Sequence, residues 1–108
     1  MTTFDKREEG FEKKFAHDEE LRFKATARRN KMLGLWAAEK LGLAGAEAEA
    51  YAREVVLADF EEPGDGDVFR KVRGDLDAKG LSSIADAEIR GLMEELLARA
   101  VDEIKSGT

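Results

Sequence analysis

From residue 19 onward the apolar side chains recur three and four positions apart, and no stretch alternates with the period of two that a strand requires. The longest such pattern is Arg22 to Gly42, RFKATARRNKMLGLWAAEKLG; Leu21 just before it, Ala25, Met32 and Trp36 are spaced by four, seven and four, with Leu33, Ala37 and Leu41 beside them. An apolar face this wide predicts a helix buried against more than one neighbour, with the sole tryptophan largely in the core. Gly42 stands where a left-handed stop is wanted, and Leu43 follows where its side chain folds back on the last turn. AEAEAYAREVVLADFE then reads as a second helix with Ala48, Tyr51, Ala52, Val55 and Ala58 inward, ended by the only proline in the Gly- and Asp-rich turn EEPGDGD. Val68, Phe69, Val72 and Leu76 mark a third helix that stops at Gly80, and Asp65 or Asp67 is its expected cap. Ile89, Leu92, Met93, Leu96, Leu97, Ala100, Val101 and Ile104 mark a fourth, begun by Ser82 or Ser83. The expected elements are 19 to 42, 46 to 60, 67 to 79 and 86 to 105: an all-α, four-helix bundle in one domain, with no internal repeat.

Residues 2 to 20 differ from everything that follows. They contain no Leu, Ile, Val or Met, and Phe4, Phe11 and Phe15 are their large apolar groups among eleven charged side chains. Offsets of seven and four place the three rings on one helical face. Gly10 weakens the middle of such a helix by about 1 kcal/mol relative to alanine, and three rings are little to hold nineteen residues. Two readings follow: a frayed terminal helix lying on the main core, or a helix that fills a partner's groove with its aromatic anchors. A break is expected near His17, with Asp18 capping the next helix and Glu19 and Glu20 in its first turn. The division is therefore an arm, 1 to 18, and a bundle, 19 to 108.

Composition narrows the function. At 108 residues the chain is one small domain; 43% hydrophobic content makes it globular, while 39% charge and a mean hydropathy of -0.48 leave a heavily solvated exterior. The absence of cysteine excludes disulfides, thiol catalysis and thiolate metal sites and fits a reducing compartment. The charged N-terminus is no signal peptide and no apolar run is long enough to span a bilayer, so the expected location is cytoplasmic. The net charge of -6 argues against a general nucleic-acid binder. It is unevenly spread: residues 1 to 31 hold nine Lys and Arg against seven Asp and Glu, a net of +2, and residues 32 to 108 hold nine against seventeen, a net of -8.

Catalytic motifs are missing: no phosphate-binding glycine loop, no dinucleotide fingerprint, and no serine motif near the single histidine. Glu94 and Glu95 read as solvated surface, and His17, beside Asp18 and Glu19 without i+4 spacing, makes no metal site. EEPGDGD lacks the calcium-loop spacing. No catalytic or metal residue is therefore assigned and no cofactor is required. The basic run Arg22, Lys24, Arg28, Arg29, Lys31 reads either as a solvated face opposite the Trp36 stripe or as a phosphate-binding patch, with Arg28, Arg29, Asn30 and Lys31 as candidate ligands.

Three segments carry a resemblance. FAHDEELRFKATARRNKMLGLWAAEKLGL from Phe15, ADFEEPGDGDV from Ala58 and KVRGDLDAKG from Lys71 resemble the zeta subunit, the ATPase inhibitor of alphaproteobacterial F-type ATP synthases, over nearly the whole chain. The resemblance implies a four-helix bundle whose N-terminal segment enters a catalytic interface of the synthase head and blocks hydrolytic rotation. Carried over by position, the partner-binding residues are Phe4, Lys6, Arg7, Phe11, Lys13, Lys14 and Phe15. It also implies ADP or ATP as a regulatory ligand, and a location peripheral to the inner membrane when bound to the synthase. The family tends to place a serine cap where Ala85 stands. The alternatives are a free-standing ADP- or ATP-sensing helical module and a small nucleic-acid-binding protein; co-purification with the synthase head separates them from the inhibitor.

Overall fold

The computed structural model describes residues 2–60 and 66–107, with side chains from residue 19 onward. Helices α1 (Thr2–Lys40), α2 (Ala46–Ala58), α3 (Gly66–Ala78) and α4 (Asp86–Ser106) account for its regular structure, and the described residues contain no strand. The long α1 packs chiefly on α2 and α4, while α3 bridges the other three. At about 1.5 Å per residue its 39 residues reach about 58 Å, which sets the longest of the molecule's extents, 64 × 25 × 22 Å.

The core forms where the stripes meet. Leu33, Ala37, Val55, Val68, Val72, Leu76 and Ile89 are fully buried, joined by Tyr51, Phe69, Met93 and Leu96. Every inward position expected on α3 is buried, and on α2 only Ala48 remains partly exposed. On α4 the buried set narrows to Ile89, Met93, Leu96 and Ala100, with Leu92, Leu97, Val101 and Ile104 at its edges.

Trp36 is only partly buried, a correction to its expected place in the core; it packs at the margin, with Lys40 Nζ 5.9 Å from its ring centroid. The rows that are buried run at intervals of four, Ala25-Arg29-Leu33-Ala37 and Asn30-Gly34-Ala38. The reason is its place on α1: Gly34, where a Cβ would lie 2.6 Å from Ala52 Cα, faces the α1–α2 crossing, and Trp36, two residues on and about 200° around the helix, falls at the rim of the core.

Helix ends follow local chemistry. Gly42, at φ 81, ends α1 with Leu43 N–H donating to Ala38 O at 2.8 Å and Gly42 N–H to Glu39 O at 3.1 Å. Gly80, at φ 83, repeats the arrangement after α3. Two expected boundaries are corrected, at Asp18 and at the start of α4. α1 continues through His17 and Asp18, where no Gly or Pro interrupts the backbone ladder, so no helix begins at Asp18. Asp67 lies inside the first turn of α3, paired with Arg70, while Asp65 falls outside the described residues. α4 is entered from Ala85, without a side-chain cap, rather than from Ser82 or Ser83. Here the turn is organised from α3: the Arg73 guanidinium donates to the carbonyls of Leu81 and Ile84 and pairs with Asp77 at 2.7 Å and Asp86 at 3.2 Å. A second polar junction joins α2 to α3, where Tyr51 Oη donates to Asp75 at 2.8 Å and Lys71 Nζ reaches the same carboxylate at 3.1 Å.

Candidate functional site

Four consecutive residues on a helix spread around its axis at about 100° each, so Arg28 to Lys31 cannot share one surface. Arg28 turns to α4 and pairs with Glu103 at 3.3 Å. Arg29 is 2% exposed and Asn30 fully buried, the Arg29 Nε donating to Asn30 Oδ1 at 2.8 Å. Lys31 alone of the four is exposed. The basic run is thus neither a solvated face throughout nor a single patch. Burial of an arginine and an asparagine was hidden because charge argues against a core position, although both stand at the four-residue spacing of the buried rows.

What replaces the patch is a pair of hollows where α1 meets α2. The first, of about 380 Å³, has Phe23 and Phe60 among its walls, with Arg22, Thr26 and Asn30 contributed by α1 and Val56 by α2. Phe23 is 65% exposed and Phe60 64%, and Leu57, just beyond, is 63% exposed. Among the described residues no acceptor reaches Asn30 Nδ2, a buried donor left with unmet hydrogen-bonding capacity. The second hollow, of about 370 Å³, shares Val56 and brings together Lys31, Glu49, Arg53 and Leu57. These exposed apolar groups escaped sequence reading because they lie off the buried stripes; their positions beside Ala25 and Ala58 were the available signal.

The partner-binding candidates Phe4, Lys6, Arg7, Phe11, Lys13, Lys14 and Phe15 lie outside the described side chains. No described helix is long and apolar enough to cross a membrane, and no three described His, Asp or Glu side chains converge on a metal position.

Comparison with known proteins gives a consistent result. The family model described as ATPase inhibitor subunit zeta matches residues 1–103. No curated protein matches. Among solved proteins, a solution NMR structure is similar at 53% identity and a TM-score of 0.71, covering 82% of this chain and 99% of its own. A family match over nearly the full length, on an all-helical chain of four elements, places this protein in the ATPase inhibitor subunit zeta family.

Proposed function

We propose that this protein inhibits ATP hydrolysis by an F-type ATP synthase through residues 2–18, which enter a catalytic interface of the synthase head and oppose hydrolytic rotation. The observation that carries this reading is the family match over residues 1–103, which includes the arm. Phe4, Phe11 and Phe15 are its anchors, with Lys6, Arg7, Lys13 and Lys14 around them. Burying one phenylalanine contributes about 1.5 to 3 kcal/mol, whereas a rim ion pair contributes about 0 to 1 kcal/mol, so the rings dominate. The protein acts as a regulator rather than an enzyme, in the cytoplasm and peripheral to the inner membrane while bound. Titrating Phe11→Ala, Phe15→Ala and Lys13→Ala proteins against the cognate ATPase tests it: both phenylalanine variants lose more inhibition than the lysine variant, and equal potency of all three contradicts the reading.

An adenine nucleotide is the second reading, as a regulatory ligand of the bundle. The second hollow favours it, since Lys31 and Arg53 offer two cations to phosphates beside the apolar Leu57. ADP titration followed by amide shifts tests the position, with movement at Lys31 and Arg53 expected and an unchanged α1–α2 region contradicting it.

A further inference from the structure

We propose that the hollow between Phe23 and Phe60 is a second docking point for the same synthase head, taking an apolar-faced chain segment that offers a main-chain carbonyl to Asn30 Nδ2. This rests on the function proposed above. Two observations make it a site. The first is the orphaned amide of a fully buried asparagine in the hollow, since a buried donor without an acceptor is costly unless a partner supplies one. The second is the exposure of two aromatic walls, at 65% and 64%, on a small domain where such groups mark interaction surfaces.

Spacing identifies the occupant. Phe4, Phe11 and Phe15 follow one another at intervals of seven and four, and the same intervals continue to Arg22 and Thr26, which line this hollow. At helical periodicity these intervals put the three phenylalanines in one row with Arg22 and Thr26, so an arm held as a helix brings its anchors into line with the hollow's α1 wall. A partner that holds residues 2–18 meets Glu19, the next residue and also part of that wall, without a change of face. The apolar surface then extends along α2 through Val56 and Leu57 instead of closing around one compact ligand, which suits a length of chain better than a small molecule. Rim charges of both signs, Arg22 against Glu19, do not select a highly charged partner.

The test uses full-length protein carrying Phe23→Ala and Phe60→Ala together, exposed positions whose truncation leaves the core intact. Leu35→Ala, 39% exposed and outside both hollows, is the control. Against the purified cognate ATPase head, the double variant is expected to bind about tenfold more weakly, as aromatic anchors do when truncated, yet to inhibit fully at saturation. A Phe11→Ala/Phe15→Ala variant is expected to lose maximal inhibition. Wild-type affinity in the Phe23/Phe60 variant, with the arm variant impaired, overturns the docking point and leaves the inhibitory arm standing. Full inhibition by the arm variant, with affinity lost only in the Phe23/Phe60 variant, overturns the arm instead. ADP alone shifting the Asn30 side-chain amide resonance assigns the hollow to a small ligand and also overturns the docking point.

Discussion

Gly34 shows how one missing side chain sets the distance between helices. Alanine is the better helix former by about 1 kcal/mol, yet its methyl would sit 2.6 Å from the Ala52 backbone and force α1 and α2 apart. Overpacking of that kind costs about 1 to 3 kcal/mol, so Gly34→Ala is expected to lower the thermal midpoint by several degrees despite its helix propensity. An unchanged or raised midpoint in a calorimetric scan would show that the crossing tolerates a wider separation. Tyr51 makes a prediction in pH. Burial first, and then the hydrogen bond and charge of Asp75, hold its phenol well above the ordinary value of 10.0. The unfolded chain loses this proton above about pH 10 while the folded protein keeps it, so the contribution to stability is complete below that pH and falls as pH rises beyond it. Tyr51→Phe is expected to cost about 1 kcal/mol at neutral pH and to flatten the alkaline decline seen by urea unfolding.

At the level of the helix, the entry to α4 lacks a side-chain cap. Ala85 holds the cap position at φ -73 and ψ 150 with no side-chain hydrogen bond, although Asp86 and Glu88 place favourable charge in the first turn. Ala85→Ser is therefore expected to stabilise the fold by about 1 kcal/mol, read as a higher urea midpoint with an unchanged slope. Arg73 orders the turn that precedes α4 by donating to the carbonyls of Leu81 and Ile84. Arg73→Met should raise hydrogen exchange at the amides between residues 81 and 89, and protection equal to wild type there would assign the turn's order to Leu81 and Ile84 packing alone. This junction also marks the edge of what the sequence discloses. Helices α2, α3 and α4 were legible because their inward residues keep strict periodicity and a glycine or proline follows each of them. Caps were less legible, because serine and aspartate are only preferences, and α4 starts from Ala85 with no side-chain cap. Trp36 has a different cause, since size and hydrophobicity favour a core position while its place on α1 falls outside both buried rows.

For the molecule as a whole, legibility divides at residue 19. The bundle followed from its own stripes, and the family from long matching segments, but the surface around Phe23 and Phe60 arises only when α1 and α2 come together, and no local pattern announces it. The basic run illustrates the converse: five cations close in sequence disperse once helical geometry turns Arg28 to α4 and buries Arg29. Function by the present account is likewise divided, with hydrolysis blocked by the arm and the fold maintained by the bundle. The most direct measurement is ATP hydrolysis by the cognate synthase head titrated with full-length protein and with a chain lacking residues 2–18, each also melted in parallel. The account predicts that the shortened chain unfolds at the same temperature as the full one and leaves hydrolysis running at saturating concentration. Full inhibition by the shortened chain, or its failure to fold, would contradict it and move the inhibitory surface onto the bundle.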